Sequence, residues 1–142
     1  MQKLGIIIPS ITDPLQSELI DGVCKSAFPR GFDVIVLTNT THADAFDFEN
    51  DYTTGEENIY ALIENGIFDG LLYVSQYFHK PDLQERIVSA IRKAGVPCIE
   101  IGDTVPDFAH VSVSERQAIF DITEHLITIH GCRDLCCLTG PE

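Results

Sequence analysis

Leu4-Gly-Ile-Ile-Ile-Pro-Ser-Ile-Thr-Asp13, with Pro14 directly behind it, carries a strand, a loop and the start of a helix in a very short span. The consecutive β-branched residues Ile6, Ile7 and Ile8 predict a strand buried on both faces, the habit of a central strand in a parallel sheet. Pro9 ends it. Asp13 stands where a helix N-cap is wanted, and Pro14 at the first helical position, where its missing N–H costs nothing. Strand exits that face helix N-termini are where open α/β sheets bind small molecules.

Working outward, Leu15, Leu19, Val23 and Ala27 keep a helical period as far as Phe28, and Pro29 and Gly31 close it. Phe32 to Thr38 is apolar and β-branched, a second strand. Glu56 to Asn65 reads as a short helix stopped by Gly66, and Phe68 to Ser75 as a third strand that delivers Ser75, Gln76 and Tyr77 into a loop. Pro81 and Asp82 start a helix with Leu83, Ile87, Val88, Ile91 and Ala94 inward, ended by Gly95; Val96 to Ile101 follows as the fourth strand, leaving through Gly102 and Asp103. Glu100 is out of place in that strand, because a buried carboxylate without a partner is expensive. A brief extended piece spans His110 to Val113, Ser114 to Gln117 has the spacing of a capping box, and the last helix, expected to bury Ala118, Ile122, Leu126 and Ile129, stops at Gly131. Cys132 or Arg133 to Thr139 is the expected fifth strand. Strands alternating with helices predict an α/β fold: a three-layer, doubly wound parallel sheet of five strands in the order 2-1-3-4-5.

Composition narrows the function. The chain has 142 residues, enough for one domain with a real core. Nine Lys plus Arg against twenty-two Asp plus Glu give a net charge of −13, and no Lys or Arg occurs between Gly31 and His79. Such a surface repels phosphate backbones and anionic lipid, so neither nucleic acid nor membrane is expected as a direct partner. The sequence shows no signal peptide and no apolar run of membrane-spanning length, which makes the cytoplasm the expected location. Five cysteines give no even framework and read as reduced thiols; Cys132, Cys136 and Cys137 lack the paired spacing of a zinc site, so no metal and no cofactor is expected. The acidic stretch from Asn39 to Gly55 reads as a surface insertion, since calcium-loop spacing is missing.

The phosphate-cradling motifs of dinucleotide and P-loop folds are absent, as are a nucleophile elbow and the acidic pair and phosphorylatable Asp of a phospho-receiver. Each His has a structural explanation, with His125 and His130 on the last helix, and no nucleophile–base pair is evident, so no catalytic residue is assigned. What remains is a ring of polar groups at strand exits. Ser10, Asp13 and Gln16 follow the first strand, Asn39 the second, Ser75 and Gln76 the third and Asp103 the fourth, with Leu15 and Tyr77 as apolar walls. Uncharged hydroxyls and amides with a carboxylate or two suit a neutral polyhydroxylated ligand.

Several blocks in order resemble the effector-binding domain of LacI/GalR-type regulators, itself similar to type 1 periplasmic sugar-binding proteins: Leu4 to Leu15, Phe68-Asp-Gly-Leu-Leu72, Gly95-Val-Pro-Cys-Ile-Glu-Ile101, Glu124-His-Leu-Ile127 and Leu138-Thr-Gly-Pro-Glu142. The resemblance implies a non-catalytic, two-lobed sensor that grips a small, sugar-like effector between its lobes, with residues 1–142 forming the first lobe and the second lobe absent. It implies ligand contacts at Ser10, Asp13, Leu15, Gln16, Ser75, Gln76 and Asp103, a homodimer, and DNA binding only through a headpiece outside this sequence. Gly102-Asp103 replaces the Asp-Arg pair of many members and removes a cation from the cleft. Two other readings stand beside this one: a sensor fused to a signalling output such as a diguanylate cyclase, and a complete flavodoxin-like or nucleotide-binding domain, which flavin absorbance would reveal.

Overall fold

Ile6, Ile7 and Ile8 are fully excluded from solvent and lie at the centre of the molecule's sheet. The computed structural model describes residues 2–39, 55–102 and 105–138. These form two units, Met1–Ser112 and Val113–Glu142. In the first unit β1 (Gln2–Ile7), β2 (Phe32–Leu37), β3 (Gly70–Tyr73), β4 (Cys98–Ile101) and β5 (Ala109–Val111) form one sheet in the order β2-β1-β3-β4-β5. Every pairing is parallel, with Ile7 between Leu37 and Tyr73, and Glu100 between Tyr73 and His110.

Alternation along β1 divides the core as a doubly covered sheet requires. Ile6 and Ile8 join Val74 and pack with Leu19, Ile20 and Val23 of helix α1 (Pro14–Ala27), while Ile7 joins Leu37, Tyr73 and the apolar face of helix α2 (Pro81–Ala94). Leu83, Ile87, Ala90 and Ile91 are the buried residues of α2, which Gly95 closes in the left-handed conformation at φ 65° with its N–H on the Ile91 carbonyl. Gly5 lies opposite Phe68 and Leu71, where a Cβ would come within 2.8 Å of both side chains; the close approach of these apolar groups to the strand requires glycine.

Four local expectations change. The segment expected to be an α-helix from Glu56 to Asn65 is a 3₁₀ helix over Asn58–Asn65, still stopped by Gly66 at φ 67°. Ion pairs from Lys80 and Arg86 to Glu57, at 3.4 and 3.0 Å, and from Lys93 to Glu64 at 3.2 Å tie this region to α2. The fifth strand is Ala109–Val111, the brief extended piece, and residues 131–138 are not a strand. Apolar content favoured Cys132 onward, yet Ala109–Val111 has the register with Ile99–Ile101 that completes the same strand order. The capping box at Ser114 does not form, because the Gln117 amide donates to Asp121 at 2.6 Å instead. In the second unit α3 (Glu115–Thr128) buries no residue, in contrast to the expected burial of Ala118, Ile122, Leu126 and Ile129; thirty residues by themselves enclose little core. The acidic stretch falls largely on residues 40–54, which lie outside the described residues, as does Asp103.

Candidate functional site

Because β1, β3 and β4 run parallel and side by side, their C-terminal ends share one rim of the sheet, and the groups expected to meet a ligand gather there. The Ile7 carbonyl accepts from Val74 N–H at 3.0 Å, which sets the loop after β1 beside the short turn Ser75–Tyr77 after β3.

The first loop is a closed set of hydrogen bonds. Asp13 Oδ1 accepts from Gln16 N–H at 3.0 Å, the expected N-cap, and the Gln16 side-chain oxygen reaches back to accept from Ser10 N–H at 3.0 Å. This is the reciprocal geometry of a capping box, with the return bond landing on Ser10. Ser10 Oγ accepts from the backbone N–H groups of Thr12 and Asp13, at 3.2 and 3.3 Å. Gln16 is accordingly buried, while Leu15 stands out at 65% exposure and Ile11 at 47%.

The second set lies at the exits of β3 and β4. Ser75 and Glu100 are both fully buried, and Ser75 Oγ donates to Glu100 Oε1. Val105 N–H donates to Glu100 Oε2 at 3.2 Å, so the carboxylate that looked misplaced in a strand joins the end of β3 to the segment that follows β4. Gly102 closes the set: it sits at φ 135°, and a Cβ there would meet Ser75 Oγ at 2.2 Å. Glycine is required on both counts. Burial, reinforced by the negative charge of Glu100, pushes the Tyr73 phenol upward, and the same two causes push the Cys98 thiol up to about 12, partly offset by a hydrogen bond from the Tyr73 backbone. Tyr73, at the end of β3, and Cys98, at the start of β4, therefore hold their protons tightly.

The structure thus brings together Ser10, Asp13, Leu15, Gln16, Ser75 and Gln76. Of these, Leu15 and Gln76 project into solvent; Ser10 and Asp13 are half-buried, and Ser75 and Gln16 are turned inward. Asn39, at the exit of β2, is 6% exposed and its Oδ1 has no hydrogen-bond partner among the described residues. Sequence reasoning left Glu100 as an out-of-place acid within the fourth strand and Gly102 as its exit, without assigning either a role; a lone acid in an apolar strand two residues before a glycine was the available signal. All five cysteines are free thiols, and no group of three or more His, Cys, Asp or Glu suited to a metal occurs among the described residues.

No family model matches the chain. The ribose operon repressors of Escherichia coli (strain K12) and of Shigella flexneri are each 27% identical to it over 142 residues, which is 97% of this chain and 38% of theirs. The chain is similar to LacI/GalR-type regulators. Its fold agrees: the transcription regulator CcpA of Lactococcus lactis superposes with a TM-score of 0.63 over 89% of this chain and 42% of the other, at 20% identity. At 38% coverage, the chain spans under two fifths of the length of the curated relatives it matches. No helix among the described residues is long and apolar enough to cross a membrane.

Proposed function

We propose that residues 1–142 form the first lobe of a ligand-sensing domain, with a small neutral effector of the sugar class held between this rim and a second lobe. The observation that carries the reading is the convergence of polar, largely uncharged strand exits from β1 and β3 on one rim of a parallel sheet, in a relative of repressors whose name includes ribose. Leu15 and Gln76 would touch the ligand directly, with Ser10 and Asp13 beside them; Asp103, outside the described residues, is kept as a proposed contact. Ser75 and Gln16 would act through the shape of the rim, since their polar atoms are engaged with Glu100 and Ser10 N–H.

The role is regulatory and non-catalytic in this reading. Ligand binding favours the closed arrangement of two lobes and so shifts an equilibrium that a homodimer passes to an output module. DNA would be reached through a headpiece and not through this strongly acidic lobe, and the protein would work in the cytoplasm.

The test uses the longer protein that contains both lobes. Thermal-shift and calorimetric titrations with ribose and a panel of other neutral sugars should find one that stabilises it, by the usual mass-action increase in stability with ligand concentration. Leu15→Ala and Gln76→Ala should each weaken that affinity about tenfold or more without lowering the melting temperature of the free protein, as expected of solvent-facing contacts. A panel that produces no shift, or two variants with parent affinity, would overturn the proposal.

A further inference from the structure

The C-terminal end of α3 holds two imidazoles in an unusual relation. His130 is not on the helix, which ends at Thr128; Ile129 N–H bonds to the His125 carbonyl at 2.9 Å, Gly131 turns the chain at φ 66°, and Cys132 N–H returns to the Leu126 carbonyl at 3.1 Å. This turn folds His130 back over His125, so that their Nε2 atoms are 3.1 Å apart, with ring centroids 4.9 Å apart and planes at 68°.

A short Nε2–Nε2 distance arises when two imidazoles share a proton and when they share an ion. With each Nε2 about 1.15 Å from its ring centre, two imidazoles pointing head-on at one another over 3.1 Å would have centroids about 5.4 Å apart. Two imidazoles aimed at a common ion about 2.05 Å from each nitrogen would have centroids about 4.8 Å apart. The observed 4.9 Å lies at the second value, and an off-axis hydrogen bond between the tilted rings gives it as well, so the pair is spaced both to share a proton and to share an ion. The nitrogen separation agrees as well, lying between the roughly 2.9 Å of a right-angled pair of ligands and the roughly 3.3 Å of a tetrahedral pair.

We propose that His125 and His130 together bind a late first-row divalent cation of the Zn²⁺, Ni²⁺ or Cu²⁺ class, the ions that imidazole suits. No third His, Cys, Asp or Glu joins the pair among the described residues, so water completes the coordination and the side stays open. Position favours a cation: the end of a helix carries the negative pole of its dipole. In the absence of metal, one ring donates its Nε2–H to the other.

The test titrates Co²⁺ into the chelator-treated longer protein that contains this chain, with Zn²⁺ as competitor, and reads the cobalt spectrum. One Co²⁺ should bind per chain without the near-ultraviolet charge-transfer bands of thiolate ligation, and Zn²⁺ should displace it. His125→Gln and His130→Gln should each weaken binding about tenfold or more, the scale on which metal sites respond to lost support. Both side chains are exposed, so circular dichroism should stay unchanged, and a triple Cys132→Ser, Cys136→Ser, Cys137→Ser variant should retain the metal. Thiolate bands, parent affinity in both histidine variants, loss of binding in the cysteine variant, or no binding at equimolar cobalt would each overturn the proposal.

Discussion

Replacing Ser75 with Ala removes a hydroxyl that donates to a fully buried carboxylate and changes almost nothing else, because both residues are sealed from solvent. A hydrogen bond to a charged acceptor contributes about 1.5 to 3 kcal/mol, and Glu100 retains the donation from Val105 N–H, so a loss of about 2 kcal/mol is expected. For a domain of this size that is a drop of about 8 °C in melting temperature. Urea denaturation followed by circular dichroism at neutral pH gives the free energy directly. Glu100→Gln supplies the second leg of the cycle: its amide oxygen can accept from one donor, but its NH₂ then faces the other, and Val105 N–H cannot reverse its role. The two changes should therefore be strongly non-additive, with a coupling of about 1 kcal/mol or more between them. Ser75→Ala within about 0.5 kcal/mol of the parent, or simple additivity in the double variant, would refute the view that this pair braces the exits of β3 and β4.

Three further outcomes follow from the first unit. Cys98, raised from 9.0 to about 12 by burial and by Glu100, keeps its proton in the folded chain where the unfolded chain has lost it, so its contribution to stability is complete below about pH 9 and declines between about 9 and 12; urea midpoints should fall over that alkaline range and fall less in Cys98→Ala, and its thiol should react with a disulfide reagent at pH 8 far more slowly than exposed Cys136 and Cys137. Gly102→Ala should cost about 2 kcal/mol or more, since it combines a left-handed backbone with a collision at Ser75 Oγ, whereas Gly22→Ala in α1, with nothing within 4 Å of its Cβ, should stabilise by about 0.5 to 1 kcal/mol in the same denaturation assay. Asp13→Ala should destabilise by about 1 kcal/mol through loss of the cap on Gln16 N–H, and Asp13→Asn should restore most of it.

The elements whose signals are local were legible in the sequence. Asp13-Pro14 marked the start of α1 to the residue, and Gly66 and Gly95 marked two helix ends, because caps and left-handed turns need only a few neighbouring atoms. The sheet order followed from the alternation of strands and helices, although its last member did not: Ala109–Val111 is exposed along its length and is defined by its pairing, which periodicity does not see. Gln117 illustrates the same limit in a helix, where a partner one turn ahead outcompeted the cap behind it. At the rim, sequence located the right loops but could not tell which side chains point outward. Ser75 and Gln76 are neighbours of similar polarity, and only the position of Glu100 across the sheet decides that one is sealed and the other exposed.

The split between sealed and outward groups governs how the rim can evolve or be engineered. Ser10, Asp13 and Gln16 spend their polar groups on one another, and Ser75, Glu100 and Val105 do the same, so both exits are held in place before anything binds. A pre-set wall lowers the ordering cost of association, and it also means that substitutions inside either knot register first as lost stability. Groups that stand outside the knots, Leu15, Ile11 and Gln76, can change without disturbing the fold. Ligand preference in the proposed sensor would therefore reside in the residues that hydrogen-bond least within the lobe, while the most elaborate polar network, around Glu100, would serve to keep the exits of β3 and β4 at a fixed separation.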